Sequence, residues 1–265
     1  LTLVWAGRPG PRYQADRGNR KPSPLSAAGR LYMQGLKRTI AVDAYNGSIL
    51  WSLELPEVAR FNIPRDCSNW CADDQNIYLA ARDRCLVIES ATGMISQQWS
   101  VFNSIDRPMD WGFVARHGNL LIGSSTATGA AFTEFWGGEY WYDEKHGEHS
   151  KKVCSDALFA VDVQSGEIAW SYDGGLIVNP TITIADGNVF MLVCKSQELK
   201  QAASRRLEGE EFWNSMHLVA LDALTGITQW DVPARPIEGK TAVYLAAASG
   251  KLVLVTSQDG TFAVY

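Results

Sequence analysis

A four-fold internal repeat constrains the fold of this chain more than any other feature of its sequence. Three copies follow the pattern Ala-x-Asp-x-x-x-Gly-x-x-x-Trp without gaps and end at Trp51, Trp170 and Trp230. A further copy ends at Trp99; it relaxes the Ala and Asp positions and takes two extra residues before its Trp. Repeats of this kind indicate one supersecondary unit that is stacked several times.

Each position of the repeat has a physical reason. Apolar alternation before the acidic residue indicates a strand with one buried face. The acidic residue accepts hydrogen bonds from turn amides, the Gly allows the positive φ of a tight hairpin, and the Trp offers a flat ring to pack on the next copy. The predicted structural docking residues are Asp43, Gly47, Trp51, Glu89, Gly93, Trp99, Asp162, Gly166, Trp170, Asp222, Gly226 and Trp230.

A second hairpin signal precedes each copy, so every unit comprises about four strands. Its turns lie at residues 28–29, 73–76, 117–119 and 186–187, with another at 249–250. Residues 262–264 match the opening of a fifth copy. Four-stranded antiparallel sheets repeated radially form a β-propeller. The sequence therefore predicts an all-β propeller with about four blades and the start of a fifth.

The repeat resembles the tryptophan-docking motif of the pyrroloquinoline quinone (PQQ)-like, quinoprotein-type β-propellers, and the resemblance covers nearly the whole chain. It implies that residues 1–265 are one partial domain of a larger ring with seven or eight blades. The WD-repeat propeller is the nearest rival, but its Gly-His and terminal Trp-Asp pairs are missing. The resemblance is specific for the fold and much less so for function.

The second and third intervals between successive repeat Trp residues are much longer than the about 45 residues of a plain blade. They predict inserts at about residues 126–155 and 196–216. The first insert is rich in aromatic residues, which either cap blade edges or form a lip that binds a ligand or a protein. The second has the pattern of a short helix from Gln197 to Phe212, interrupted at Gly209.

Two joins between blades carry groups that could take part in binding, one at residues 62–74 and one at residues 110–111. Either these side chains reach the central channel, or Arg65 and Asp66 pair and organise the turn between blades. Together with two Trp residues of the first insert, they form a candidate binding face. Its residues are Arg65, Asp66, Trp70, Trp111, Trp136 and Trp141.

Catalytic and metal-binding motifs are weak or missing in the sequence. It contains no Gly-x-Ser-x-Gly elbow, no phosphate-binding Gly-rich loop and no Rossmann fingerprint. His146 and His149 have ligand chemistry, but their spacing suits neither a zinc finger nor a zincin helix, and a solvated loop is the alternative. Cys67 and Cys71 have neither the zinc nor the redox spacing, and the sequence leaves open whether they form a disulfide.

The resemblance offers two functions. A quinoprotein dehydrogenase would need a quinone stacked between a Trp and a vicinal Cys-Cys disulfide, with Ca²⁺ held by Glu and Asn and a catalytic Asp. The sequence has no Cys-Cys pair, and no residue set aligns with the calcium or catalytic positions. The resemblance therefore favours a periplasmic or extracytoplasmic binding or scaffolding module without a cofactor, whose partner is a protein or a small molecule. The alternative is a fragment of a PQQ-dependent dehydrogenase whose PQQ and Ca²⁺ site lies outside this segment.

Composition argues against two classes of partner. With 24 Lys+Arg and 29 Asp+Glu, the formal net charge is −5, which disfavours a broad basic face for nucleic acid. The apolar runs, such as residues 189–194, are far shorter than the roughly 20 residues that span a bilayer. We therefore expect no nucleic-acid partner and no transmembrane segment.

Overall fold

Five antiparallel sheets, here called blades 1 to 5, follow one another along the chain. The computed structural model describes residues 22–35, 37–58, 66–105, 107–131, 150–234 and 237–265. Blade 1 comprises β1 (Leu25–Ala27), β2 (Arg30–Gly35), β3 (Arg38–Asp43) and β4 (Ile49–Glu54). Blade 2 comprises β5 (Trp70–Ala72), β6 (Asn76–Ala81), β7 (Arg84–Glu89) and β8 (Ile95–Ser100).

Blade 3 is interrupted by a strand that joins the following sheet. Its strands β9 (Met109–His117) and β10 (Leu120–Ala127) are followed by β11 (Lys152–Ser155), which pairs outside this blade, and then by β12 (Ala157–Asp162) and β13 (Ile168–Tyr172). Blade 5 has three described strands, β20 (Ala242–Ala248), β21 (Lys251–Gln258) and β22 (Thr261–Val264).

Blade 4 carries the additions contributed by both inserts. Its own strands are β14 (Leu176–Val178), β15 (Thr183–Ala185), β16 (Asn188–Cys194), β18 (Met216–Asp222) and β19 (Thr228–Pro233). A 3-10 turn, Asn179–Thr181, separates β14 from β15. Next to β14 lies β11, and next to β11 lies β17 (Arg206–Leu207). Two short helices, α1 (Gln197–Lys200) and α2 (Glu210–Asn214), flank β17.

The apolar core lies between successive blades. In β6, Ile77 and Leu79 pack with blade 1, whereas the alternating Tyr78 and Ala80 pack with blade 3. Further clusters join blade 3 to blade 4, and blade 4 to the second insert and blade 5. The third strands β3, β7 and β12 therefore bury residues on both faces. The prediction of a single buried face for these strands is wrong; in β7 and β12 the reason is that another blade packs on each side.

In each of blades 1 to 4 two hairpin turns lie at the same end, which we call the hairpin end, and the connection between the two middle strands lies at the opposite end. In blades 1 to 4 a backbone N–H of the second turn donates to a carbonyl of the first turn. These bonds are Ala44 N to Gly29 O, Ser90 N to Gln75 O, Val163 N to Asn119 O, and Ala223 N to Gly187 O. The hairpin end of blades 1 to 4 consists of residues 27–30, 43–49, 72–76, 89–95, 116–120, 162–168, 185–188 and 222–228.

The predicted helix from Gln197 to Phe212 is wrong in its middle. The chain forms α1 and α2 at the two ends, but between them β17 pairs antiparallel with β11. The Arg205 side chain also donates to the carbonyls of Lys200 and Ala202 and to the Asp156 carboxylate. These tertiary contacts outweigh the local helical pattern.

The predicted fold class is confirmed: the described residues form antiparallel sheets that follow the repeat, with four strands in each of the first two blades.

Candidate functional site

Repeat Trp rings lie against the hairpin of the following blade. A Cβ placed on Gly93 would lie 2.7 Å from Cδ2 of Trp51, and one on Gly226 would lie 2.7 Å from Cδ2 of Trp170. Both glycines have positive φ, +75° and +70°, so a side chain is disfavoured by conformation and by space. The indole N–H groups donate across the same interfaces, Trp51 Nε1 to Ser90 O at 3.0 Å and Trp170 Nε1 to Ala223 O at 3.2 Å.

The acidic residue of the repeat organises the turn. Asp43 Oδ1 accepts hydrogen bonds from the backbone N–H groups of Tyr45 at 2.8 Å and Asn46 at 3.0 Å. Asp162 and Asp222 bond in the same way to the amides two and three positions further on. These carboxylates hold the hairpins in a tight turn that ends at the positive-φ Gly.

Two of these carboxylates have a perturbed acidity. The amides of Ser165 and Gln164 lower the pKa of Asp162. The hydroxyl of Thr225, followed by its amide, lowers the pKa of Asp222. Hydrogen bonds that favour the charged form keep both side chains ionised.

Blade 2 departs from the repeat at its Trp. Trp99 lies opposite Cys85 in the strand register, and Gln97 takes the place that corresponds to the other repeat Trp residues. The two-residue insertion shifts the ring by about 7 Å along the strand. The ring stacks on Tyr78 with 6.0 Å between centroids, and its Nε1 would lie 3.3 Å from a Cβ on Gly166.

Glu89 and Trp230 also differ from their counterparts. Glu89 accepts a hydrogen bond from Thr92 Oγ1 at 2.9 Å. Trp230 is half-buried and packs on Phe190, with 5.9 Å between ring centroids. Gly47 has a positive φ of +74° and closes the hairpin of blade 1.

Large apolar side chains are exposed on the hairpins that join the third and fourth strands of blades 1 to 4. Tyr45 is 79% exposed and Ile227 is 63% exposed, although each lies in a turn that is itself well ordered by hydrogen bonds. Scattered apolar residues are normal on protein surfaces, but their recurrence on the equivalent hairpin of successive blades favours an interaction site. We call the group the apolar rim; it comprises Tyr45, Ile49, Leu50, Met94, Ile95, Ile168, Leu224 and Ile227.

The residues predicted to form a candidate binding face do not belong to the apolar rim. Asp66, Trp70 and Trp111 are buried. Trp70 Nε1 donates to Ser23 O at 3.2 Å, and the Trp111 ring packs edge-on against Phe159 at 4.9 Å between centroids. The structure therefore places none of these three side chains on a binding surface. The remaining members, Arg65, Trp136 and Trp141, lie outside the described residues, as do His146 and His149.

Asp66 belongs instead to a buried polar junction that joins blades 2, 3 and 4. Asn179 Nδ2 donates to Asp66 Oδ1 at 3.1 Å, and Ser155 Oγ donates to Asn179 Oδ1 at 2.6 Å. Ser155 Oγ and Ser124 Oγ are 2.8 Å apart. A Cβ on Gly112 would lie 2.5 Å from Ser124 Oγ and 2.6 Å from Ser155 Oγ, so glycine is needed beside the junction.

A buried ion pair attaches the second insert to blade 3. The Arg205 guanidinium contacts both oxygens of Asp156, with Nη2 2.8 Å from Oδ1 and Nε 3.0 Å from Oδ2. Arg107 also donates to Asp156. Such bidentate pairs have defined geometry, so this one fixes the path of the chain between α1 and β17.

Sequence reasoning missed the junction and the ion pair. The available signal was the polar run Ser124, Ser125 and Thr126 inside the otherwise apolar strand β10. Buried polar side chains need partners, but the sequence does not reveal that Asn179 is one of them.

All five cysteines are free thiols. Burial raises the pKa of Cys71 to about 12 and raises that of Cys85 and Cys154 well above the ordinary value. The pKa of Cys194 is also raised by burial. Because the thiolate is the reactive form, these side chains act as small apolar groups.

Two negative findings concern only the described part of the chain. Its residues contain no group of three or more His, Cys, Asp or Glu side chains placed to hold a metal ion. None of its helices has the length and apolar character needed to cross a bilayer.

No protein-family model and no curated protein matches the sequence, but solved structures with a similar fold exist. The chain is similar to BamB from Moraxella catarrhalis, at 12% identity and a TM-score of 0.50 over 91% of this chain. It is similar to quinohemoprotein alcohol dehydrogenases from Comamonas testosteroni (15% identity, TM-score 0.55) and Pseudomonas putida HK5 (14%, 0.52), each over 95% of this chain.

These likenesses show that the chain has the PQQ-like β-propeller fold that its repeat predicts. The chain spans 59% of the length of BamB and 42% and 41% of the two dehydrogenases. At this identity the similarity concerns the fold alone.

Proposed function

We propose that this chain is a non-catalytic PQQ-like propeller that acts as a binding or scaffolding module in the bacterial cell envelope. The observation that carries the proposal is the apolar rim, which recurs on the same hairpin of four successive blades. Solvent-exposed apolar groups that recur along one end of a repeat protein favour the binding of another molecule over chemistry.

The polar junction supports a structural role for the interior. Its carboxylate, amide and hydroxyl groups bond to one another and are buried. An active site needs polar groups that can reach a substrate. The junction instead links three blades, and its hydrogen bonds compensate the cost of burying polar groups.

The hydrogen bonds of the buried junction support the proposal over a site for PQQ with Ca²⁺. Asn179 turns its Nδ2 donor towards the buried carboxylate of Asp66 and uses its oxygen to accept from Ser155. A calcium site needs several oxygen ligands directed at one point. A vicinal disulfide is also excluded within this sequence, because no two cysteines are adjacent.

We also propose an extracytoplasmic location and a protein partner. Both rest on the resemblance of the repeat to envelope propellers, and the protein partner also on the apolar character of the rim.

The alternative is a fragment of a PQQ-dependent dehydrogenase, favoured by the likeness to two quinohemoprotein alcohol dehydrogenases. Titration of the full chain with PQQ and Ca²⁺, followed by absorbance, distinguishes the two proposals. We expect no saturable change. Saturable binding with a redox-dependent spectrum would contradict the non-catalytic proposal and support the alternative.

A further inference from the structure

We infer that the apolar rim and the carboxylates of the hairpin end form one docking surface for a basic segment of a partner protein that also carries aliphatic side chains. The inference rests on the proposed binding function and specifies the chemistry of the partner.

Contacts between blades fix the rim segments of blades 1 and 2, and those of blades 3 and 4, relative to each other. Leu50 precedes Trp51, whose ring lies against Gly93, and Gly93 is followed by Met94. The same contact joins Trp170 to Gly226 in blades 3 and 4, where Ile227 follows the glycine. Exposed aliphatic groups of successive blades therefore lie on either side of a fixed, close-packed interface, and a partner meets a preformed surface.

The hairpin end is strongly acidic. Its turns in blades 1 to 4 carry eight carboxylates and two guanidinium groups, those of Arg30 and Arg116. This excess of negative charge is larger than the net charge of −5 of the entire chain. Arg116 is paired with Asp73, with 3.3 Å between Nε and Oδ2, and Arg30 donates to the carbonyl of Ala28. The field above the rim is therefore negative, which attracts cationic partners.

The charges persist where a partner would approach. Hydrogen bonds within the turns lower the pKa of Asp162 and Asp222, so both stay ionised when the medium is mildly acidic. Asp74, Glu167 and Asp186 are exposed. A negative surface repels nucleic acid and anionic lipid, whereas a polypeptide with lysine or arginine beside leucine or isoleucine complements both properties of the rim.

Fluorescence anisotropy with labelled synthetic peptides tests the inference on the full chain. The probe alternates lysine and leucine, and two control peptides alternate lysine with serine and glutamate with leucine. We expect the Lys-Leu peptide to bind saturably, with affinity that falls as salt is added. Each control peptide should bind at least about tenfold more weakly, because it lacks one of the two complementary properties.

Three variants locate the binding site. Asp74→Asn/Glu167→Gln/Asp186→Asn removes exposed charge from the hairpin end, and Tyr45→Ser/Met94→Ser/Leu224→Ser removes apolar surface from the rim. The matched control, Asp83→Asn/Asp173→Asn/Glu198→Gln, removes the same charge from exposed side chains at the opposite end. We expect the first two variants to weaken binding about tenfold and the control to leave it within about twofold. Circular dichroism checks that all three fold.

Failure of the Lys-Leu peptide to bind, equal binding of the Lys-Ser peptide, or equal weakening by the opposite-end control would overturn the inference. The PQQ titration tests the proposed function separately, because its outcome does not depend on whether the peptides bind. If the chain binds neither PQQ nor the Lys-Leu peptide, only the docking inference is overturned.

Discussion

Single residues decide how closely the blades pack. Trp51 and Trp170 are buried, donate through Nε1 to a carbonyl of the next blade and touch a positive-φ glycine, whereas Trp99 is half-buried and shifted along its strand. The same residue type therefore contributes differently according to register.

Replacing the docking Trp residues tests their contribution to the free energy of unfolding. Trp51→Ala and Trp170→Ala should each lower it by about 3–5 kcal/mol, because each removes a buried ring and leaves a cavity. Trp99→Ala should cost about half as much, since part of that ring is already in solvent. Urea unfolding measures all three; an equal cost for Trp99→Ala would show that the register shift has no energetic consequence.

The turn carboxylates should contribute to the loss of unfolding free energy at low pH. The pKa of Asp162 and Asp222 is lower in the folded chain than the ordinary value of 3.8. Their stabilisation is therefore complete above that value and is lost as the pH falls below it towards the folded pKa. Unfolding followed from pH 6 down to pH 2, about the range that matters here, should show a shallower loss for Asp162→Asn/Asp222→Asn. Parallel curves for the variant and the original chain would contradict this origin.

At the scale of elements, side chains from distant strands hold the blades and inserts in register. The junction uses β11, a strand supplied by the first insert, and the ion pair holds the chain before β17, a strand supplied by the second. Blade 4 therefore depends on both inserts.

Gly112→Ala tests the junction. The new methyl group would press on Ser124 Oγ and Ser155 Oγ, so we expect the free energy of unfolding to fall by about 2 kcal/mol or more. In Gly112→Ala/Ser124→Ala one of the two crowded oxygens is gone. A double-mutant cycle by urea unfolding should show that the combined cost is smaller than the sum of the single costs. Additive costs would mean that the junction does not crowd this glycine.

Arg205→Ala tests the ion pair. Removing the guanidinium leaves the Asp156 carboxylate short of its bidentate partner and should cost about 3–5 kcal/mol. Hydrogen exchange should increase first around α1 and β17, which Arg205 ties to blade 3. Lys200→Ala, an exposed neighbour, is the control and should leave exchange nearly unchanged. Uniform exchange across the chain in Arg205→Ala would show that the pair does not hold this insert.

The repeat predicted the all-β fold and the four-strand unit because turn chemistry and strand periodicity are local. The burial of both faces of β7 and β12 was not predicted, since it depends on a neighbouring blade at each side. The junction could not be predicted from the sequence either, because Asp66 and Asn179 are 113 residues apart. The helical pattern between α1 and α2 failed for the same reason, because tertiary contacts of Arg205 override local preference.

At the scale of the whole molecule, the buried polar side chains and the exposed apolar side chains lie in different places. The interior polar groups join blades, and the hairpin end presents the rim together with an excess of carboxylates. A propeller built in this way can vary its exposed turn residues with little effect on the packing of its blades. The chain is therefore suited to carry a binding surface on a rigid scaffold.

Hydrogen exchange of the full chain, measured alone, with the Lys-Leu peptide and with PQQ plus Ca²⁺, shows where each ligand binds. We expect the peptide to slow exchange in residues 43–49, 89–95, 162–168 and 222–228, and the quinone to change nothing. Protection around Asp66 and Asn179 by the quinone, or protection by the peptide away from the hairpin end, would contradict this expectation.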